Sequence, residues 1–181
     1  QNITAIEVSG TFDDCQKMVK QAFLDEELNN SSHLTSANSI NIARLIPQTF
    51  YYMYAWSRIK ASGKEVIFSV PSGNFGNLCV GLIAEKMGMP LNRFIAATNI
   101  NKIVPEYLDS GLFNPRPSIQ TLANAMDVGN PSNFPRIEAL LGDYDNIRNH
   151  LAGAFYNDEQ TLEIIAEVYK KFDYFVCPHT A

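Results

Sequence analysis

The chain has 181 residues, 46% of them hydrophobic, and a formal net charge of −5. This length suits one sizeable domain or parts of two, with enough apolar residues for a hydrophobic core. The negative charge argues against a nucleic-acid surface, and the apolar runs are too short to cross a membrane. Cys15, Cys79 and Cys177 are odd in number and widely spaced. They argue against a disulfide framework and favour a reducing, cytoplasmic compartment, and the first residues do not resemble a signal peptide.

The first part of the chain predicts a strand, a helix and a boundary. Residues 3–8 alternate loosely between apolar and polar side chains, which favours a strand. Thr11 is an N-cap residue, with acidic residues directly after it, so we predict a helix from there to about residue 28. Residues 29–38 are polar and rich in turn formers, which predicts a domain boundary. His33 lies in that stretch without a second ligand at metal spacing, so we interpret it as a loop residue.

A long helix is predicted next, from about residue 42. Apolar residues recur at helical spacing as far as Met53, and Pro47 inside the pattern predicts a kink or a restart. The opposite side is aromatic, which favours burial by two layers or in a subunit contact. Asn38, Ser39 and Asn41, just ahead of this pattern, are ordinary capping residues.

The middle of the chain predicts a βαβ unit. Residues 65–70 and 93–98 are apolar, β-branched runs of strand length, and residues 78–87 between them have a helical pattern that ends at Gly88 and Pro90. This spacing predicts two parallel strands joined by a right-handed crossover. Ligands of such units bind at the carboxyl ends of the strands.

The turn of this unit, Pro71-Ser-Gly-Asn-Phe-Gly-Asn77, predicts a phosphate site. Gly73 and Gly76 lack side chains, so an anion can approach the backbone at the start of a helix, where N–H groups are free. Asn74 and Asn77 add uncharged donors. The spacing fits neither a Walker A loop, because Leu82-Ile83 stands where Lys-Ser/Thr is needed, nor a dinucleotide fingerprint. A tight turn that binds nothing is the alternative.

The remaining chain predicts short helices and an irregular crossing. Asn99 and Asn101 follow the second strand and either line the same cleft or form a turn. The crossing, residues 122–135, is rich in Pro and Asn, as functional segments often are. We expect Asp127 within it to tie down the loop rather than act as a base. The other predicted elements are helices at 104–110, 137–153 and 158–172 and a strand at 174–177.

Taken together, these motifs resemble the threonine synthase family. The glycine-bearing turn resembles the family's phosphate-binding loop, and four more blocks match in the family's order, at residues 10–16, 36–44, 93–99 and 124–128. The family's enzymes use pyridoxal phosphate and have the fold type II, or tryptophan-synthase-like, architecture. The resemblance implies an α/β fold with a parallel sheet flanked by helices. It also implies conversion of O-phosphohomoserine and water to L-threonine and phosphate.

The resemblance implies residue roles and a domain division. Gly73, Asn74, Phe75, Gly76 and Asn77 are expected to contact the cofactor phosphate, the last two through N–H groups, with the Phe75 ring packed aside. Residues 1–30 correspond to a βα remnant of the smaller domain that closes over substrate, and residues 38–181 to part of the larger cofactor-binding domain. For Arg44, a surface or structural ion pair is the favoured role, and a contact with a substrate phosphate is the alternative.

The resemblance also indicates what this chain lacks. The family's cofactor-binding lysine lies upstream in an Ala-Phe-Lys-Asp context, and no lysine here has that setting. The Ser/Thr that meets the pyridine nitrogen is not found either. We therefore expect an internal fragment that is inactive alone, with no catalytic residue and no metal ligand. Its full-length parent would act on a small molecule, with no nucleic-acid or membrane partner.

Two alternatives remain. One is another fold type II enzyme, such as a serine/threonine dehydratase or a cysteine synthase. Thr11-Phe-Asp-Asp-Cys-Gln16 and Asn124-Ala-Met-Asp127 argue against it, because they belong to the threonine synthase pattern. The other is a noncatalytic phosphate-binding α/β module. The parent's Ala-Phe-Lys-Asp would separate the enzymes from the module.

Overall fold

The computed structural model describes residues 2–181, the side chain of Phe12 excepted, and forms two compact units, Gln1–Ala37 and Asn38–Ala181. The first unit contains α1 (Phe12–Leu24) and α2 (Glu26–Ser32). Thr11 caps α1 as predicted, in a capping box in which the Asp14 carboxylate accepts from the Thr11 N–H at 2.8 Å.

Two predictions for the first unit are wrong. Residues 3–8 form no strand, because no other segment in residues 2–181 pairs with them, and Ile3 and Ile6 are exposed. The predicted helix to residue 28 breaks at Asp25. The Asp25 carboxylate accepts from the Leu28 N–H at 2.9 Å, and this N-cap bond starts α2, which continues into the stretch predicted as a polar boundary.

The second unit contains a parallel three-stranded sheet. Its strands are β1 (Ile67–Pro71), β2 (Arg93–Thr98) and β3 (Leu151–Phe155), in the order β1-β2-β3. Val70 lies opposite Ala96, which lies opposite Gly153. The predicted fold class, a parallel sheet flanked by helices with βαβ units, is confirmed.

Six α-helices accompany the sheet. They are α3 (Thr49–Ile59), α4 (Gly76–Lys86), α5 (Ile103–Ser110), α6 (Phe134–Leu141), α7 (Tyr144–His150) and α8 (Asp158–Phe172). The long helix predicted from residue 42 is shorter, because two 3-10 turns, Ile42–Arg44 and Ile46–Gln48, precede α3. Pro47 lies in the second turn, and the restart that it predicted is confirmed.

The single helix predicted at 137–153 is two helices, α6 and α7, and its last three residues belong to β3. Gly142 has a positive φ of 84° and ends α6, and the Asp143 side chain then caps α7. Residues 151–155 are Leu-Ala-Gly-Ala-Phe, with no β-branched residue, and become β3 because they pair with β2. Residues 174–177 were predicted as a strand and form none, because no segment in the described chain pairs with them.

The hydrophobic core lies on one face of the sheet. Phe94 and Ala96 of β2 are fully buried there, and helices α4, α5, α6 and α7 supply most of the other core side chains. The opposite face is less covered, since Ile67 is 52% exposed. The aromatic side of α3 is exposed too, with Tyr51 at 75% and Tyr54 at 68%, so the described chain does not bury it in two layers. No helix within residues 2–181 combines the length and apolar character needed to cross a membrane.

Candidate functional site

The 71–77 loop, which includes the last residue of β1 and the first two of α4, lies at the carboxyl end of the sheet. The Ser72 N–H donates to Ala97 O at 2.8 Å, which ties the loop to the end of β2. Phe75 precedes α4 in the left-handed conformation, with φ 61°, and its ring is 2% exposed within the core. Packing of the Phe75 ring in the core fixes the loop, so the backbone on either side of Phe75 keeps one conformation.

Five consecutive backbone N–H groups of this loop, those of residues 73–77, have no acceptor in the described part of the chain. The first paired groups after them are the Leu78 N–H, which donates to Asn77 Oδ1 at 2.9 Å, and the Cys79 N–H, which donates to Phe75 O at 3.0 Å. The left-handed Phe75 makes this backbone concave, and the first turn of α4 adds partial positive charge. Free backbone N–H groups at the start of a helix are a common anion-binding arrangement in proteins.

The two glycines of the loop have different neighbours. A Cβ on Gly73 would lie 2.6 Å from the Cα of Met126, so only glycine lets the loop pass the Asn124–Met126 turn. A Cβ on Gly76 would lie 3.4 Å from Asn133 Nδ2, which is ordinary contact. Gly73 is therefore required by packing, and Gly76 keeps the start of the helix open.

The Asn77 side chain closes the loop on itself. Its Oδ1 accepts from Ser72 Oγ at 2.8 Å, and its Nδ2 donates to Pro71 O at 2.7 Å. Tyr52 Oη donates to the Asn77 carbonyl at 2.8 Å, and burial raises the Tyr52 pKa, so this phenol remains a protonated donor. The sequence suggested the Asn77 amide as a ligand donor, whereas the structure uses it as a brace and leaves its backbone N–H for a ligand.

Asn74 is held by the irregular crossing. Its Oδ1 accepts from the Ser132 N–H at 2.6 Å and from Ser132 Oγ at 3.0 Å, and its carbonyl accepts from Asn133 Nδ2 at 3.0 Å. A backbone N–H can only donate, so these bonds define which end of the Asn74 amide is oxygen. Nδ2 is then the group that remains to donate.

Asp127 ties the crossing to the end of β2. Its carboxylate accepts from Asn99 Nδ2 at 2.8 Å, from Thr121 Oγ1 at 2.7 Å and from the Thr121 N–H at 2.9 Å. Asn101 Nδ2 also donates to it, at 3.2 Å, and both asparagines are buried. This arrangement fits the expected loop-anchoring role and places the Asn-Ile-Asn turn in an internal network.

A cavity of about 90 Å³ adjoins the loop at the carboxyl ends of β1 and β2. Pro71, Asn99, Met126 and His179 are among its lining residues. Nε2 of His179 accepts from the Ala125 N–H at 3.2 Å. His179 was not singled out in the sequence, where it belongs only to the closing Pro-His-Thr-Ala stretch.

The sequence also missed Arg136, which lies on α6 beside the loop. Its guanidinium donates to the carbonyl oxygens of Ser39 and Ile40. No motif pointed to this contact, because 97 positions separate Arg136 from Ser39. Ser39 and Asn41, which were predicted as capping residues, lie in the turn at residues 38–41. Asn41 Oδ1 accepts from the Ala43 N–H at 3.0 Å. Arg44 is exposed on the next turn.

Comparison with known proteins covers the whole chain. The threonine synthase of Buchnera aphidicola subsp. Schizaphis graminum is 44% identical over 182 residues, which is 100% of this chain and 42% of that protein. The chain is homologous to the threonine synthases. It spans about 42% of the length of these curated relatives. No protein-family model matches it.

Solved threonine synthase structures share the fold. The Escherichia coli threonine synthase superposes with a TM-score of 0.87 at 44% identity, over 96% of this chain and 41% of that one. The pyridoxal-phosphate-bound threonine synthase of Brucella melitensis superposes with a TM-score of 0.80 at 33% identity, over 94% of this chain and 42% of that one. The recognised resemblance is therefore confirmed.

Two other features of the described chain bear on its chemistry. All three cysteines carry free thiols, and burial raises the pKa of the Cys79 thiol on α4. Within residues 2–181, no group of three or more His, Cys, Asp and Glu side chains could hold a metal ion.

Proposed function

We propose that this chain is the part of a threonine synthase that holds the phosphate of pyridoxal phosphate. The observation that carries the proposal is the row of five backbone N–H groups, residues 73–77, without protein acceptors. Homology to threonine synthases and the cofactor named for the Brucella melitensis enzyme support it. The whole enzyme would convert O-phosphohomoserine and water to L-threonine and phosphate, in the cytoplasm.

The residues present fit a phosphate group. Gly73, Asn74, Phe75, Gly76 and Asn77 would hold it through backbone N–H groups, at a helix start where negative charge is favoured. When bound, pyridoxal phosphate supplies an electron sink for removal of protons from the amino-acid substrate. The chain's own contribution is to bind and orient. Asn77 and Tyr52 brace the loop, and Asn74 offers its Nδ2.

The described chain holds no candidate for the covalent attachment of the cofactor. None of its lysines has the Ala-Phe-Lys-Asp context of the family. We therefore expect the chain alone to bind the cofactor without forming a covalent bond to it and to release no phosphate from O-phosphohomoserine.

A titration of the purified chain with pyridoxal phosphate, and in parallel with pyridoxal, tests this. We expect at least about tenfold tighter binding of the phosphorylated compound, because only its phosphate reaches the free N–H groups. Borohydride reduction followed by mass spectrometry should find no lysine modified in stoichiometric amount.

Three outcomes would count against the proposal. Equal affinity for the two compounds would mean that the loop is a tight turn that binds nothing. Stoichiometric modification of one lysine would show that the chain contains the anchor after all. Preference for inorganic phosphate over pyridoxal phosphate would favour a noncatalytic anion-binding module.

A further inference from the structure

The Arg136 guanidinium donates hydrogen bonds to three oxygen atoms near the 71–77 loop. One guanidinium nitrogen, Nη1, donates to Ser39 O and, at 2.7 Å, to Asn133 Oδ1. The other, Nη2, donates to Ile40 O at 2.9 Å. Arg136 is half-buried and forms no ion pair among residues 2–181. The positively charged guanidinium therefore donates its hydrogen bonds to neutral oxygens, which belong to two separate segments of the chain.

Asn133 connects this group to the loop. Its Nδ2 donates to Ser39 Oγ at 3.1 Å and to Asn74 O at 3.0 Å, and Asn133 is 1% exposed. The position that a Cβ would take on Gly76 lies 3.4 Å from Asn133 Nδ2 and 3.6 Å from Ser39 Cβ. The turn at residues 38–41 and the 71–77 loop therefore lie side by side. Asn133 bonds to both, and Arg136 bonds to the turn directly and to the loop through Asn133.

We infer that Arg136 is a positioning residue that holds the 38–41 turn and the 71–77 loop in one arrangement. The inference rests on the proposed function of the loop as a phosphate site. Arg136 acts through Ser39, Ile40 and Asn133 and does not itself contact the anion. Three acceptors around one planar fork require the geometry of a guanidinium, which a lysine ammonium of the same charge does not reproduce.

Hydrogen exchange in the 181-residue chain tests the positioning role without any ligand. The variants are Arg136→Lys and Arg136→Ala, with Arg58→Ala, an exposed arginine of α3, as control. The Asn41 amide donates within the 38–41 turn, and the amides of Arg44 and Leu45 donate in the 3-10 turn that follows it. All three should exchange about tenfold faster in both Arg136 variants. Amides of β2 should keep the wild-type rate.

Two exchange results would overturn the inference. One is an unchanged rate at the turn in Arg136→Lys, which would mean that the charge alone is sufficient. The other is an equal increase in β2, which would mean a general loss of stability. The control variant should show neither change.

Binding measurements then test whether the arrangement of the turn and the loop affects the affinity for pyridoxal phosphate. Both Arg136 variants should lose about tenfold in affinity for pyridoxal phosphate and keep the wild-type affinity for pyridoxal. An Arg136→Lys variant that binds pyridoxal phosphate as tightly as wild type would overturn the inference. A wild-type chain without preference for the phosphorylated compound would instead refute the proposed function, and the exchange rates would still decide whether Arg136 positions the turn.

Discussion

Gly73 is the residue at which the 71–77 loop approaches the irregular crossing most closely. Gly73→Ala would bring a methyl group within 2.6 Å of the Met126 backbone, which cannot rotate away as a side chain could. We expect a loss of about 1–3 kcal/mol in the free energy of unfolding, measured by urea denaturation, together with weaker binding of pyridoxal phosphate.

Gly76→Ala is the matched control for that substitution. Its added methyl would find only ordinary contacts, at 3.4 Å and beyond, and Gly76 lies within α4, where alanine is favoured over glycine. We expect its unfolding free energy to stay within about 0.5 kcal/mol of wild type. Equal losses in the two variants would contradict the role assigned to the contact between Gly73 and Met126.

Phe75 shows how one residue serves both packing and the site. A non-glycine residue at φ 61° carries a conformational cost of about 1–2 kcal/mol. The buried ring offsets that cost, since Phe75 is among the largest fully buried side chains. The same backbone conformation makes the row of N–H groups concave, so the strain lies where the anion is expected.

Among the elements, α8 is the one whose start was clearest from the sequence. Asn157 Oδ1 accepts from the Gln160 N–H at 2.9 Å, and Gln160 Oε1 accepts from the Asn157 N–H at 3.0 Å, which completes a capping box. Asn157→Ala removes the bond to the Gln160 N–H. We expect a loss of about 1 kcal/mol in urea unfolding and faster amide exchange in the first turn of α8.

Asn114→Ala is the control variant for Asn157→Ala. Asn114 is exposed and lies outside the helices and strands, so this variant should unfold within about 0.5 kcal/mol of wild type. If Asn157→Ala had no larger effect than Asn114→Ala, the cap would not stabilise the folded second unit.

The strand β3 illustrates the opposite case at the same scale. Its small residues carry no strand signal, yet Gly153 suits its position because a Cβ there would lie 2.8 Å from Pro105 Cα. The close approach of α5 to the sheet therefore depends on a glycine that the sequence pattern placed at the end of a predicted helix. Pairing with β2 and packing against α5 are long-range effects, and no local pattern reports them.

At the scale of the whole molecule, the core belongs to one unit. Its cluster of buried residues runs from Val70 to Leu151, and among the side chains that the structure describes, no large and fully buried one precedes Leu45. A chain of residues 38–181 should therefore fold alone, with an unfolding free energy within about 1 kcal/mol of that of the same unit in the intact chain.

A shorter chain, residues 49–181, is the contrasting variant. It lacks Leu45, which is 1% exposed, and the carbonyl acceptors of Arg136. We expect it to lose about 2–5 kcal/mol, comparable to truncation of a buried leucine. A 38–181 chain that fails to show a cooperative urea transition would contradict the independence of the second unit.

Local chemistry was sufficient for part of this protein. Capping at Thr11 and Asn157, the restart at Pro47 and the glycine-bearing loop depend on neighbouring residues, so their patterns predicted them. The two strands of the βαβ unit were also predicted, because the helix between their apolar runs places them side by side. Predicted strands at 3–8 and 174–177 failed, and β3 was missed, because a strand exists only with a partner that sequence periodicity does not name. The side-chain contacts around the 71–77 loop also depend on residues that are far apart in the sequence. Arg136 reaches Ser39, and Asn133 reaches Asn74, across more than fifty positions, and folding alone brings such side chains together.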